Sequence, residues 1–375
     1  MSDRPSPTRP HWADRAFETE LESHRAELVA YCYRMLGSPF EAEDAVQETM
    51  LRAWRNIDGF EGRAKLRTWL YRIASNVCFD MLGSSQRRAR PMDLTGPGSA
   101  DGPPGELLSE ATWIQPMPDA RMAPAAGDPG EVAIAHETVR LAFVAALQFL
   151  PPRQRAVLLL RDVLSWHADE VATLLDTTTA SVNSALQRAR ATIAAREVAD
   201  TAPARPDDDA QAAMLARYMD AFQRYDMDAL TALLHEDAVQ SMPPYPLWLR
   251  GRDDVLGWWT GPGIECRGSR LIPTVANGSP AFGQYRPSGP GGAHEPWALQ
   301  VLEVRDGRIT EFTAFLDTAR QLPQLGLPQR PDDPSVDEQR HRPEALLEVE
   351  DVPDARPVVV RVVDHHDARD PEVDD

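Results

Sequence analysis

Two all-α helical domains followed by an α+β domain is the multi-domain architecture that three features of this 375-residue sequence predict. Apolar residues recur at helical spacing over residues 17–90 and again over 131–198. Stretches rich in Pro, Gly, Ala and Asp separate these blocks from each other and from the C-terminal part of the chain. Beyond residue 208 one amphipathic helix gives way to apolar–polar alternation, the pattern of half-buried strands.

In the first block, Leu28, Tyr31, Cys32, Met35 and Leu36 share a helical face, and Gly37-Ser38-Pro39 ends that helix and starts the next. "EAEDAVQETMLRAWRNI" and "LRTWLYRIASNVCFDMLG" continue the helical pattern. Residues 91–130 cannot bury enough apolar surface to order themselves, which predicts a flexible linker. The second block breaks at Leu150-Pro151-Pro152, where Pro closes one helix and opens another. Residues 199–207 form a second linker by composition, and residues 208–325 the α+β domain, with a hairpin centred on Asp306-Gly307. Residues 326–375 are a Pro-rich acidic tail whose one apolar burst, "PVVVRVV", suits a strand or a docking segment.

The formal charge of -19 is unevenly placed. Residues 1–90 hold 14 Arg and Lys against 13 Asp and Glu, whereas residues 328–375 hold 6 against 15. Binding to phosphate depends on the local basic face, so the global charge does not exclude a nucleic-acid partner for the helical blocks. The three cysteines are odd in number and far apart, without a CxxC pair. They predict neither a disulfide framework nor a metal site and fit a reducing cytoplasm. No signal-peptide core and no run long enough to span a bilayer is present, so no membrane association is expected.

The clearest local signal is "SWHADEVATLLDTTTASVNSALQRARATI". It divides into a helix, a turn at Asp176-Thr177, and a helix that Thr178 can cap. Val182, Leu186 and Ala189 then face inward and turn Thr179, Asn183, Gln187 and Arg190 to the other side. A helix-turn-helix presents its second helix to the DNA major groove in this way. Asn183 and Gln187 suit base edges, Arg188 and Arg190 phosphates or guanine. A plain surface helix is the alternative on this segment alone. The first block adds basic residues Arg63, Lys65, Arg67 and Arg72 interleaved with Trp54, Phe60, Trp69, Tyr71 and Phe79, ending in Arg87, Arg88 and Arg90. Cations neutralise phosphate and aromatic faces stack on unpaired bases.

Residues 17–197 resemble an extracytoplasmic-function sigma factor of the sigma-70 family: "AEDAVQETMLRAWRNIDGFEGRAKLRTWLYRIASNVCFDMLGSSQRRARP" is similar to its region two, and "ALQFLPPRQRAVLLLRDVLSWHADEVATLLDTTTASVNSALQRARATI" to its region four. The resemblance implies that the chain binds core RNA polymerase, with Asp44, Gln47, Glu48 and Trp54 as contacts or their supports. It implies that Arg63, Lys65, Arg67, Trp69, Arg72, Asn76, Asp80, Arg87 and Arg88 capture and line the melted minus-ten strand of promoter DNA. Arg155, Thr179, Ser181, Asn183, Ser184, Gln187, Arg188 and Arg190 are implied to read the minus-thirty-five duplex. Many members carry Lys and Arg where Asn183 and Ala185 stand here, so the preferred bases do not transfer.

"RYMDAFQRYDMDALTALLHEDAVQSMPPYPLWLRGRDDVLGWW" with "LQVLEVRDGRITEFTAFLD" looks like a SnoaL-like, NTF2-like cone fold. The resemblance implies a pocket lined by Met242, Tyr245, Trp248, Trp258, Trp259 and Phe315, with His235, Glu236 and Asp317 as polar groups. It leaves open a small-molecule ligand, and a bifunctional chain in which an Asp–His pair catalyses. Fold does not imply function, and the expectation is a non-enzymatic sigma factor without cofactor or metal, regulated in cis by this domain and the acidic tail. A separate anti-sigma factor is a further candidate partner. A helix-turn-helix repressor is the rival reading, and it leaves the "EDAVQET" block unexplained.

Overall fold

The computed structural model describes residues 11–57, 65–83, 88–121, 138–195 and 208–331. The first helical domain consists of α1 (His11–Ser23), α2 (Arg25–Leu36), α3 (Pro39–Arg55) and α4 (Leu66–Leu82). Gly37 ends α2 in the left-handed region at φ 75°, Ser38 is extended and its Oγ accepts from the Glu41 amide, and Pro39 occupies the first turn of α3. Each residue suits its position: Gly for the positive φ, Ser for the free amides, Pro where no helical donor is needed.

Helix α2 is buried without a break from Leu28 to Leu36, so Tyr33 and Arg34 are interior along with the apolar face expected from the sequence. The reason is its position. Helices α3 and α4 cover one side, and the second helical domain covers the other.

That second domain comprises α5 (Leu141–Leu147), α6 (Pro152–Leu158, continued by a wider turn through Val163), α7 (Ala168–Leu174) and α8 (Thr179–Ala194). Pro152 opens α6, as the sequence anticipates. The Thr178 hydroxyl caps α8 by accepting from the Ser181 amide at 3.2 Å. Val182, Leu186, Ala189 and Ile193 face inward. The core of the two helical domains is continuous, and it extends onto one face of the C-terminal sheet through Ile272, Ala281, Tyr285, Leu299, Val301 and Phe315.

The third domain begins with α9 (Asp208–Arg224) and α10 (Met227–Leu233). Strands β1 (Leu234–Ser241) and β2 (Trp248–Arg250) follow, then α11 (Arg252–Thr260), β3 (Arg270–Ala276), β4 (Ser279–Arg286), β5 (Glu295–Arg305), β6 (Arg308–Phe315) and α12 (Thr318–Gln324). The sheet order is β2-β1-β6-β5-β4-β3, antiparallel except for the parallel β1–β6 pair. Asp306-Gly307 makes the β5–β6 turn with both residues at positive φ. Asn277-Gly278 makes the β3–β4 turn in the same way. Helices α9, α10 and α11 cover the second sheet face, burying Tyr218, Phe222, Trp259, Phe282, Leu302 and Phe312.

Two boundary expectations change. Residues 91–121, expected within a flexible linker, form a strap pinned along the third domain. The Gly98 amide donates to the Trp248 carbonyl at 2.8 Å, the Leu108 amide to the Pro244 carbonyl at 3.2 Å, and Trp248 Nε1 to the Thr95 carbonyl at 2.8 Å. Composition indicates that the strap cannot order itself, and it orders on a surface supplied by another domain. The tail likewise starts later than residue 326: Leu327 is buried, and Tyr285 donates its hydroxyl to the Pro328 carbonyl. The burst "PVVVRVV", the linker portion 122–130 and residues 199–207 lie outside the described residues.

Candidate polymerase and nucleic-acid interfaces

Helix α3 sets out a solvent-facing ridge. Asp44, Gln47 and Trp54 are exposed and Glu48 is half-buried, at the three- and four-residue intervals that share one helix face. Leu51 completes the ridge at 43% exposed beside Trp54 at 38%. Trp54 keeps part of its ring against Phe17, centroids 6.2 Å apart, and with Leu51 leaves apolar surface open beside these polar side chains. Sequence reasoning missed Leu51 because it sits in a run that reads equally well as core.

Helix α4 carries a second stripe. Lys65, Trp69, Arg72, Asn76 and Asp80 follow one another at intervals of four, three, four and four, with Lys65, Arg72 and Asn76 exposed and Trp69 half-buried. The stripe is less free than the sequence suggests. Asp80 pairs with Arg52 at 3.2 Å, and Arg52 also holds Glu48 at 2.7 Å. Arg67 points to the other side of α4: its Nε donates to Glu27 at 2.7 Å, and its guanidinium lies 5.5 Å from the ring centres of both Tyr71 and Trp166. Trp166 belongs to the second helical domain and packs tilted against Tyr71, ring centres 5.1 Å apart, so this cation is placed in the seam between domains.

Arg88 and Arg155 are interior in this arrangement, not on the open faces that the sequence reading expects. Arg88, expected to line the melted strand, is 7% exposed, pairs with Glu41 at 2.7 Å and donates to the Glu110 and Trp113 carbonyls of the strap. Arg155, expected on the duplex, is 3% exposed. It donates to Gln148 Oε1 at 2.7 Å, to the Gln148 and Leu150 carbonyls at 3.2 Å, and to the Met35 carbonyl at the end of α2. A buried guanidinium with several fixed donors satisfies several main-chain carbonyls at once, and in this arrangement it is closed to phosphate. Arg63 and Arg87 lie outside the described residues.

Helix α8 presents Thr179, Ser181, Asn183, Ser184, Gln187 and Arg188 fully to solvent, with Arg188 hydrogen-bonded to Ser184 at 2.6 Å. Arg190 departs from that face and pairs bidentately with Asp162 at 2.7 and 2.9 Å. The surface that remains is polar and weakly charged.

The side chains expected to line one pocket do not converge. Trp259 packs edge-on against Phe312, and Met242 and Trp258 pack against the same core on the helix-covered sheet face. Phe315 lies on the opposite face, in the core shared with the helical domains. Adjacent strand residues alternate sides, which separates Phe315 from Ala314 and Phe312. Trp248 is held by the strap, and Tyr245 lies in the turn that the strap crosses. His235 accepts from the Asp237 amide at the start of β1. Asp317 follows β6, whose Thr313 pairs with Ser241 at the far end of β1. His235 thus lies beside the Leu234–Ile309 pairing at one end of the parallel β1–β6 pair, and Asp317 follows the other end, so the two are not brought together. Burial, then the neighbouring Glu110, raises the Asp317 carboxyl. Inside the helix-covered face a polar chain runs from the Tyr218 hydroxyl to Gln300, Gln284 and Ser269.

The junction of the three domains is a densely bonded polar site among the described residues. Arg34 donates to Thr138 Oγ1 at 2.9 Å and to its carbonyl at 3.2 Å, and burial pushes its guanidinium down to about 10. Glu303 on β5 pairs with Arg140 at 3.1 Å and accepts from Ser279, and burial raises its carboxyl. Arg320 of α12 lies 3.9 Å over the Phe40 ring while holding Glu110.

Family models match all three domains: Sigma-70 region 2 over residues 21–88, Sigma-70, region 4 over 140–193, and a SnoaL-like domain over 215–312. The chain is 46% identical over 317 residues to the ECF RNA polymerase sigma factor SigG of Mycobacterium tuberculosis, covering 83% of this chain and 84% of that one. It is 28% identical over 310 residues to SigJ of the same species, covering 78% and 88%. The crystal structure of the Mycobacterium tuberculosis extracytoplasmic function sigma factor SigJ superposes with a TM-score of 0.56 at 24% identity, over 84% of this chain and all of that one. That likeness concerns the fold. No helix among the described residues is long and apolar enough to cross a membrane.

Proposed function

The chain belongs to the extracytoplasmic-function sigma factors, which bind core RNA polymerase and direct initiation at promoters, and from that premise we propose how its parts divide the work. The α3 ridge of Asp44, Gln47, Glu48, Leu51 and Trp54 docks on core polymerase. The α4 stripe of Lys65, Trp69, Arg72 and Asn76 engages the melted minus-ten strand, where a flipped base costs a few kcal/mol that stacking and phosphate contacts offset. The exposed face of α8 reads the minus-thirty-five duplex. What supports this division is exposure: Asp44, Gln47, Leu51 and Trp54, then Lys65, Arg72 and Asn76, and the outer face of α8 are open to solvent, whereas Arg67 and Arg190 of the same helices are paired internally.

The C-terminal domain modulates this activity in cis. One observation carries that reading, the single apolar core that unites both helical domains with a face of the sheet. A domain that merely trailed on a linker would bury no such face. Non-catalytic regulation is favoured over bifunctional catalysis because His235 and Asp317 sit at opposite ends of β1 and its parallel neighbour. Promoter-specific run-off transcription by full chain, by a chain ending at residue 331 and by a chain ending at residue 199 tests the reading. Activity must change on removal of residues 200–375; identical activity in all three overturns it.

A further inference from the structure

The minus-ten and minus-thirty-five elements lie about 25 base pairs apart, about 85 Å along B-form DNA at 3.4 Å per pair. In this structure Tyr71 of α4 and Trp166 beside α7 touch, with ring centres 5.1 Å apart. The described arrangement therefore cannot engage both elements of one promoter, and the helical domains must part before initiation. The question is what holds them together.

We propose that the Asn277-Gly278 turn of the third domain is the latch of this closed state, an inference that rests on the cis modulation proposed above. Asn277 is fully buried, and every hydrogen-bonding group of its side chain is used between domains. Its Nδ2 donates to the Tyr33 hydroxyl in α2 at 2.7 Å and to the Val139 carbonyl just before α5 at 2.6 Å. Its Oδ1 accepts from the Met117 amide of the strap at 2.7 Å, and its own amide donates to the Met117 carbonyl at 3.0 Å. Tyr33 closes the circuit by donating to the Gln115 carbonyl, and the Gly278 amide donates to Asp119 at 2.9 Å. One carboxamide thus ties the first helical domain, the strap and the second helical domain to the sheet.

The turn is suited to the task. Asn277 and Gly278 have φ of 56° and 65°, the left-handed pair of a tight hairpin turn, which fixes the carboxamide on a stiff two-stranded arm. Once the helical domains separate, Asn277 exchanges these partners for water and loses little. Side-chain bonds of this kind, which break cleanly and together, bias a two-state equilibrium without welding it shut. Opening would also release the Glu303–Arg140 and Arg34–Thr138 contacts at the same junction.

The test uses full-length chain and purified core RNA polymerase. Asn277→Asp keeps size and turn preference but removes both donors. Tyr33→Phe removes the acceptor on the other side. Each variant is expected to enlarge the radius of gyration in small-angle X-ray scattering and, once bound to core polymerase, to raise the association rate with promoter DNA about tenfold, because a larger fraction of the chain can span both elements. Helical content by circular dichroism should match the parent, which separates unlatching from unfolding. Unchanged radius and unchanged association rate in both variants overturn the latch, as does a slower association. If removal of residues 200–375 alters transcription while both variants behave as parent, the latch alone falls. If that truncation is also without effect, the modulatory reading falls with it.

Discussion

Helices α4 and α8 carry similar complements of polar and basic residues, yet the fold treats them differently. Helix α8 shows almost its whole outer face to solvent and gives only Arg190 to an internal partner. Helix α4 exposes only Lys65, Arg72, Asn76 and the paired Asp80 of its stripe, while Arg67 and the nearby Arg88 are bound within the protein. The difference follows from position. Helix α8 ends its domain and packs by one face, whereas α4 lies between its own helices and the second domain. A helix held from two sides has few side chains left for a ligand, and those few are the ones to test.

Arg155→Ala attacks the contrast at its seam and should have the largest effect. It leaves carbonyls from both domains buried without donors, at a cost of about 3 kcal/mol or more. A lowered urea midpoint measures it; a change below about 0.5 kcal/mol would show that Arg155 is solvent-accessible. Trp166→Ala removes the ring that packs against Tyr71 and Arg67 and should cost about 3 kcal/mol, with Arg67 becoming reactive to phenylglyoxal. If Arg67 stays protected, Trp166 is not what covers it. Gln187→Ala on α8 should leave stability within about 0.5 kcal/mol yet weaken minus-thirty-five binding by about 1–3 kcal/mol. Equal binding by parent and variant would move the reading face elsewhere on α8.

Glu303→Gln should have the smallest effect and a pH signature. Burial raises the Glu303 carboxyl, so its protonated form is favoured by folding. Its stabilising contribution is complete below the unfolded carboxylate range and fades as pH rises through the raised native value. The amide does not ionise, so this variant should melt no lower than parent near neutral pH despite losing the Arg140 ion pair, and the two should converge in acid. A clear loss of stability confined to neutral pH would show that the Arg140 pair outweighs the burial of charge.

Much of this was legible in the residues. Gly37-Ser38-Pro39, Thr178 and Asp306-Gly307 each mark a boundary through a local rule of backbone geometry or capping, and each boundary stands where the rule puts it. The exposed set on α8 follows from helical periodicity once Val182, Leu186 and Ala189 are placed inside. The Asn277-Gly278 hairpin carries the same Asn-Gly signal, but its flanking runs contain Pro273 and Pro280, which read as loop and hide it.

The sequence by itself determined the helices, their caps and the division into two helical bodies and a sheet. Those depend on interactions within a turn or two of chain. Only the tertiary structure decided which arginines stay exposed, that the Pro-rich strap would order, and that Phe315 and Trp259 would lie on opposite faces. Arg155 meets Met35 across 120 positions and Asn277 meets Tyr33 across 244. A guanidinium or carboxamide has the same donors whether phosphate or a distant carbonyl receives them, and nothing local to the chain chooses between the two.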